Sequence, residues 1–352
     1  MKASIGWDIG GAHLKAARVE DGLVTRAILV PCPLWLGVDK LGVAFAKARQ
    51  EIGVASRHWV TMTGELADIF GSRAEGVEAI ATVAGQCLSA GSVMIYAGRA
   101  GFVGTDEVTS HGTDIASANW HASAQWAARA ATHGLFVDMG STTTDLIRLV
   151  DGQMAARGYS DFERLASGEL VYTGMVRTSL MAVAGRVPFR GQSMPLMNEH
   201  FASTADIYRI LGELPRGADR HSTADGGEKT ARASRVRLAR MIGLDARDAP
   251  EAAWTELARA FKEAQLRGLH DAATLVLSSG NLPKTAPVIG AGIGTRVIRA
   301  LALRLGRPYL PFGRLLPALT PTPRRAASNA AAAASVALLG ESFGKPRQAR
   351  RR

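Results

Sequence analysis

Thiols are almost missing from this sequence. Cys32 and Cys87 are the only cysteines in 352 residues; they stand far apart and outside any metal-ligand spacing. That excludes a disulfide framework and a cysteine-based zinc site, and makes a reduced, cytoplasmic setting the expectation. Long apolar runs are missing too. No stretch reaches the ~20 uninterrupted apolar residues of a membrane span, and no early apolar run carries a basic leader. The Ala-rich segment from Ala330 to Leu339 is too short for a span and reads as a packed helix. Acidic residues are outnumbered, 31 against 42 Lys and Arg, for a formal charge of +11. This excess raises nucleic acid as a partner, but its distribution argues against that. Five of the positive charges fall between Lys345 and Arg352, within a segment (341–352) that reads as a basic disordered tail. A second basic region, Arg216 to Arg240, alternates Arg with Ala, Ser and Asp, and offers no aromatic stacking platform or zinc finger. A polyanionic small substrate accounts for a basic interior as well. Neither nucleic acid nor a membrane is expected as a partner, and self-association is left open.

What is present points to a soluble α/β protein of two domains. Apolar residues make up 47% and the mean hydropathy is +0.04, and the length fits two cores better than one. An internal repeat marks them. At a constant shift of 130 positions, Asp8 falls on Asp138, Gly10 on Gly140, Arg18 on Arg148, Asp21 on Asp151 and Gly22 on Gly152. Each copy reads as strand, Asp-x-Gly turn, strand, Asp-Gly turn, strand. The expected domains are 1–132 and 133–340, with the C-terminal helix free to pack back on the first.

Read in order, residues 3–30 form a meander that Pro31-Cys32-Pro33 ends. Leu41 to Ile52 has helical spacing, His58 to Thr63 reads as a strand, Ile69 to Leu88 as a helix, and Ser92 to Tyr96 as another strand. Gly98 to Ser117 reads as a loop or short hairpin, followed by a helix from Asn119 to Ala131. The second copy predicts strands near 134–138, 143–150 and 153–159. Helices are predicted over 168–183, 199–211, 229–242 and 252–269, with a mobile loop from Leu214 to Glu228 over the site. Strands at 273–278 and 287–290 then lead into Gly292-Ile293-Gly294 and a helix over 296–305.

The Asp-x-Gly turns suggest chemistry. Glycines let backbone N–H groups converge on an anion, and an Asp ending the preceding strand suits a divalent cation lying between carboxylate and phosphate oxygens. Asp8 and Asp138 are therefore expected as metal or metal-water ligands. Gly10, Gly11, Gly140, Ser141, Thr142 and Thr143 are expected as anion-loop residues, and two such loops facing each other would make a phosphate clamp. Gly292 and Gly294, before a helix, suit a nucleotide or anion, or simple helix-on-strand packing. Lys15 is placed to neutralise phosphate or to sit exposed on its strand. His13 could donate to phosphate, act as a base, or have no such role. Glu65, at a strand end, is a candidate catalytic carboxylate, and Asp145 a supporting carboxylate or turn partner. Trp120, Trp126 and Trp254 read as core residues.

Together the two Asp-x-Gly hairpins and the later Gly-x-Gly resemble the phosphate-one, phosphate-two and adenosine motifs of the actin, sugar-kinase and heat-shock ATPase superfamily. The segment Asp138-Met139-Gly140-Ser141-Thr142-Thr143-Thr144-Asp145 is similar to the hydantoinase and 5-oxoprolinase branch. Trp7 to Ala12, Met62 to Leu66, Ala118-Asn119-Trp120, Gly168 to Gly174 and Thr204 to Tyr208 further resemble the tetrahydromethanopterin-linked one-carbon-transfer family within it. The resemblance runs from about residue 3 to about residue 340. It implies two duplicated actin-like ATPase (ribonuclease H-like) domains around a central cleft, and adds Glu169 and Asp206 as family-like acidic positions. It also implies a transferase of methylofuran or methanofuran biosynthesis. Such an enzyme joins an aminomethyl-furanmethanol diphosphate to a glutamyl-tyramine or tyrosine-like phenol and releases diphosphate. Mg2+ is the implied cofactor. The alternative is an ATP-dependent small-molecule kinase or an oxoprolinase-like amidohydrolase, with ATP bound; a further alternative is an ATP-regulated binding or assembly protein. Under the transferase reading Asp8, Lys15, Glu65 and Asp138 are the expected catalytic residues.

Overall fold

The computed structural model describes residues 3–318 and 320–343. The expected basic tail lies, from residue 344 onward, outside them. The chain groups into two units: one holds the residues up to Thr132, Asp151–Met154 and those from Pro311, the other His133–Val150 and Ala155–Leu310.

The first unit opens with the expected meander of β1 (Ala3–Ile9), β2 (His13–Glu20) and β3 (Leu23–Pro31), all antiparallel. Asp21 and Gly22 turn β2 into β3 with φ of 49° and 82°, the left-handed pair that matches the twist of a tight hairpin. Helix α1 (Asp39–Ile52) buries Leu41, Ala44, Phe45, Ala48 and Ile52 on one face. β4 (Arg57–Met62) then pairs with β1 in parallel, with Asp8 opposite Thr61. Helix α2 (Arg73–Cys87) starts later than the apolar spacing suggests, at Ser72, whose hydroxyl accepts the Glu75 N–H. β5 (Ser92–Tyr96) adds in parallel and β6 (Phe102–Val103) antiparallel. The segment expected to be a loop or short hairpin thus makes a short hairpin of β6 with β5, and α3 (Gly112–Ile115) follows it before α4 (Asn119–Ala130). The strand order β3-β2-β1-β4-β5-β6 is the ribonuclease H-like arrangement.

In the second unit β7 (Gly134–Met139) and β8 (Thr144–Val150) repeat the hairpin. The third strand expected at 153–159 shrinks to β9 (Gln153–Met154). Side-chain carboxylates take the backbone beyond it: Glu169 accepts the N–H groups of Arg157 and Gly158, and Glu163 that of Tyr159. Helix α5 (Asp161–Ser167) ends at Gly168, which is left-handed with φ 76°. The helix expected over 168–183 is therefore absent. In its place stand β10 (Leu170–Val171), paired with β8, and a loop whose Met175, Val176 and Arg177 N–H groups go to Gly140 and Ser141 carbonyls. The hairpin of β11 (Arg186–Phe189) and β12 (Gln192–Pro195) follows.

Helix α6 (Thr204–Ile210) is shorter than expected, because the reciprocal cap of Ser203 and Asp206 fixes its start. Next come α7 (Ala231–Arg240) and α8 (Glu251–Ser278). The last helix absorbs the strand predicted at 273–278: buried Leu266, Leu269, Ala273 and Val276 continue its helical spacing, which a short apolar run alone does not reveal. The 214–228 segment, expected to be mobile over the site, is tied to α6 and α7 by ion pairs of Asp219 with Arg209 and of Asp225 with Arg237. β13 (Val288–Gly292) pairs with β7 in parallel, α9 (Thr295–Arg304) follows, and β14 (Tyr309–Pro311) completes the order β10-β8-β7-β13-β14.

The last helices, α10 (Pro321–Asn329) and α11 (Ala331–Glu341), belong to the first unit, so the range 133–340 expected for the second domain divides at Leu310. Every residue of α11 from Ala331 to Gly340 is buried. Its small side chains follow from close approach: a Cβ on Gly6 would stand 2.0 Å from the Ala333 carbonyl oxygen, and one on Gly340 2.1 Å from the Trp59 ring. On the other face of the sheet His58 is buried, and its Nδ1 accepts the Trp7 indole N–H at 3.1 Å.

Gly6→Ala should lower the urea midpoint by an amount equivalent to about 3 kcal/mol, since two backbones must separate. Gly42→Ala, in open space on α1, should instead raise it by up to about 1 kcal/mol. Burial, aided by the Arg49 charge, holds the His58 pKa down at about 4. The unfolded chain therefore binds this proton first. Stability from neutral His58 is complete above pH 7 and falls between pH 6.5 and about 4, by a total on the order of 3 kcal/mol. Urea melts of the wild type and His58→Gln across that window should show the shallower pH slope in the variant.

Candidate functional site

The first Asp-x-Gly turn is closed by one backbone bond, from the Gly10 N–H to the His13 carbonyl at 2.9 Å. A second strand end supports it: the Thr63 N–H donates to the Ile9 carbonyl at 2.9 Å, and Leu34 N–H to the Gly11 carbonyl at 3.0 Å. A Cβ at Gly11 would meet nothing within 4 Å, so this loop is open to an approaching anion. His13 is buried and supplies its carbonyl to the turn.

Asp8 and Lys15 are cross-strand partners, and Lys15 Nζ donates to Asp8 Oδ2 at 3.0 Å. The carboxylate is 1% exposed. Its other oxygen, Oδ1, is buried without a hydrogen-bond partner, a costly arrangement unless something else is bound there. Among the described residues no group of three or more His, Cys, Asp or Glu is arranged to hold a metal. A magnesium ion would thus draw most of its ligands from water and phosphate, its usual habit, and the lone Asp8 Oδ1 fits that donor set.

Glu65 lies just beyond β4, in the same unit. Its side chain is fully buried, with Oε1 accepting the Ser117 hydroxyl at 2.8 Å and an Arg73 N–H at 3.3 Å, while Oε2 has no hydrogen-bond partner. Arg73 also donates to Ser117 at 2.6 Å. Ser117 has φ of 53°, an uncommon conformation for a residue other than glycine. Neither Arg73 nor Ser117 is legible as a site residue from sequence: Ser117 is 52 positions from Glu65, and only the tertiary fold joins all three.

In the second unit the turn recurs, with Gly140 N–H donating to the Thr143 carbonyl at 2.9 Å. Asp138 is half-buried and faces Asp145 across the ladder, where the first copy has an opposite charge. Buried Arg164 pairs with Asp145 and offsets the repulsion. Ser141 and Thr142 are clasped from behind. Val176 and Arg177 N–H groups donate to the Ser141 carbonyl at 3.0 and 2.9 Å, and a Cβ at Gly174 would lie 2.5 Å from Thr142 N. Gln265 holds this clasp through Thr173 Oγ1 at 2.7 Å and the Gly174 carbonyl at 2.9 Å, and itself accepts the Tyr208 hydroxyl.

Gly292 and Gly294 take their places for room. A Cβ at Gly292, whose φ is 78°, would meet the Met139 carbonyl at 2.3 Å and Asp138 Oδ1 at 2.4 Å; one at Gly294 would strike the Met139 side chain. Close packing on β7 accounts for both glycines without a nucleotide. The two acidic positions that entered through resemblance have structural work. Glu169 holds Arg157 N–H, Gly158 N–H and Ser167 Oγ, and Asp206 binds Ser234, Arg209 and Arg237. Trp120 and Trp254 are buried, and the Trp126 indole donates to the Leu315 carbonyl at 3.1 Å. Burial raises the Cys32 thiol to about 11, which leaves it unreactive. Gly292→Ala should displace Asp138 and lower the melting temperature by several degrees, whereas Gly11→Ala should leave the melt within about one degree of wild type; differential scanning calorimetry reads both.

The family model for hydantoinase/oxoprolinase matches residues 58–309. A protein of Methanocaldococcus jannaschii named (4-{4-[2-(gamma-L-glutamylamino)ethyl]phenoxymethyl}furan-2-yl)methanamine synthase is 31% identical over 242 residues, which cover 68% of this chain and 72% of that one. The synthase of the same name from Methanococcus vannielii is 37% identical over 111 residues, 32% of this chain and half of that one. Among solved structures, nucleotide-free acetone carboxylase superposes with a TM-score of 0.54 at 10% identity, covering 94% of this chain and 70% of that chain, a likeness of fold alone. By the extent of the family match and by its kinship with these synthases, the chain belongs to the hydantoinase/oxoprolinase family.

Proposed function

We propose that this protein is a transferase of methanofuran-type cofactor biosynthesis, with an aminomethyl-furanmethanol diphosphate as donor and a glutamyl-tyramine-like phenol as acceptor. The observation that carries the reading is the pair of Asp-x-Gly loops in a chain related to synthases named for an aryl ether of that kind. In the proposed step the bond between the furanyl methylene carbon and the diphosphate oxygen breaks, and its electron pair leaves with diphosphate. A lone pair of the phenol oxygen forms the new carbon–oxygen bond, and the phenol proton passes to a base. The furan stabilises positive charge on the methylene, so the barrier depends on how well the departing anion is held.

Each loop offers backbone N–H groups to phosphate oxygens. Lys15 supplies a fixed positive charge beside the first, held in place by Asp8. Magnesium, when bound, would offset charge on the leaving diphosphate; Asp8 beside the first loop and Asp138 beside the second are each a residue that would hold such an ion. Glu65 is assigned a positioning role: its buried carboxylate fixes Ser117 and Arg73, and the Arg73 side chain is 37% exposed. No step requires nucleotide hydrolysis.

Purified protein incubated with magnesium, the furan diphosphate and the phenolic amine should release diphosphate only when both organic substrates are present. ADP formed from ATP in a substrate-dependent way would overturn this in favour of a kinase or amidohydrolase, and tight ATP binding without turnover would favour a nucleotide-controlled binding protein. Asp8→Asn and Asp138→Asn should each lower kcat/KM by roughly a hundredfold or more with little change in melting temperature. Retained activity in both would remove the metal-binding assignment.

A further inference from the structure

The buried face of α8 is apolar at Trp254, Leu257, Phe261, Leu266 and Leu269, yet Gln265 stands in the same stripe at 3% exposure. A buried amide is costly unless its polar atoms are bonded, and here both are. Nε2 donates to Thr173 Oγ1 at 2.7 Å and to the Gly174 carbonyl at 2.9 Å, and Oε1 accepts the Tyr208 hydroxyl at 2.5 Å. The partners dictate which way the amide faces: the Gly174 carbonyl can only accept, so the nitrogen is turned to it and the oxygen to Tyr208. Burial, and then the Glu213 charge, raises the Tyr208 pKa, so the phenol keeps the proton that it donates.

What Gln265 holds lies directly against the second loop. A Cβ at Gly174 would be 2.5 Å from both Ser141 C and Thr142 N, so the Gly174 backbone rests on the peptide that joins those two residues. Thr178 Oγ1 accepts the Gly174 N–H at 2.9 Å, and the Thr144 hydroxyl donates to the Thr173 carbonyl at 2.7 Å. The Met175 N–H then reaches the Gly140 carbonyl at 3.0 Å, and those of Val176 and Arg177 reach the Ser141 carbonyl at 3.0 and 2.9 Å. In a trans peptide the N–H points opposite to the C=O, and none of the described peptide bonds is cis. With the Gly140 and Ser141 carbonyls both turned towards residues 175–177, the Ser141 and Thr142 N–H groups both point away from them. Among the described residues no backbone carbonyl takes either one. Two successive N–H groups left open on the same side make a seat for one anion.

We infer that Gln265 is a positioning residue for the leaving diphosphate: through Gly174 it fixes the direction of the Ser141 and Thr142 N–H groups, acting by way of backbone rather than by contact. This rests on the anion-holding role that the transferase reading gives the second loop. It explains why an amide occupies a place on α8 that an apolar side chain would fill with no polar atoms to satisfy.

Two variants separate positioning from stability. Tyr208→Phe removes the donor to Gln265 Oε1 and keeps both Nε2 bonds, whereas Gln265→Met combined with Tyr208→Phe removes the Gly174 bond as well. Each leaves one buried oxygen unpartnered, Gln265 Oε1 in the first and the Gly174 carbonyl in the second, so the two should melt within a few degrees of each other. In calorimetry of the full-length protein with magnesium and inorganic diphosphate, the single variant should bind within threefold of wild type and the double at least tenfold more weakly. In turnover the double variant should lose at least tenfold in kcat at saturating furan diphosphate, with the KM for the phenolic amine within twofold of wild type. Gln265→Glu, of the same shape and still accepting the Tyr208 hydroxyl, gives a second measurement should the double variant not fold: at alkaline pH its ionised carboxylate has no hydrogen for Gly174, and the same tenfold loss of diphosphate affinity is expected. Equal affinities in the single and double variants, whether kept or lost, would overturn the inference and leave the loop's anion role intact. Failure of the wild type to bind diphosphate would overturn that role and the inference with it. Diphosphate binding that depends on Gln265 without ether formation would overturn the transferase reading and uphold the positioning role.

Discussion

One backbone hydrogen bond, made twice, sets the rest of the molecule in order. In each unit the glycine of an Asp-x-Gly turn donates its N–H to the carbonyl three residues on, Gly10 to His13 and Gly140 to Thr143. Once that bond closes, the register of the flanking strands is fixed. Asp8 must face Lys15, and Asp138 must face Asp145. Strand position then puts both aspartates at sheet ends, and the neighbouring strand in parallel, β4 in one unit and β13 in the other, brings its own terminus alongside.

The two copies have diverged in how they manage charge. In the first, the aspartate is balanced across the ladder by a lysine, leaving a single buried oxygen unpartnered. In the second, two acids face each other, and a buried arginine from the following helix offsets one of them. The clasp around Ser141 and Thr142 is built from the Gly168–Gly174 segment, with its extension to Arg177, whereas the first loop has its Gly11 carbonyl taken by the Leu34 N–H.

Much of this was legible in the residues. The meander, the Asp-Gly reversals at 21–22 and 151–152, the paired loops and the strand into Gly292 follow from local turn chemistry and period, and these are the features a sequence states most directly. Elsewhere long-range bonds override local preference. Residues 168–183 carry helix-compatible side chains, yet the Met175, Val176 and Arg177 N–H groups are claimed by the second loop. Residues 273–278 are apolar enough for a strand but continue the buried stripe of α8. Ser117 and Arg73 could not be tied to Glu65 from spacing, because 52 and 8 positions separate them from it. Gly292 and Gly294 were legible as important, but the reason, room for Asp138 and Met139, required the neighbouring strand.

The burial of α11 against β1 makes the first unit discontinuous in the chain, since the residues from 133 to 310 belong almost entirely to the other unit. During synthesis the first six-stranded sheet must therefore wait for its covering helix. At ordinary elongation rates the interval is about 10–40 seconds, during which Gly6, Trp59 and the face around them remain uncovered. The second unit, interrupted only by Asp151–Met154, lies between residues 133 and 310 and can complete its core within that interval. The order of assembly is thus the reverse of the order of translation: the unit that begins the chain is the last to close.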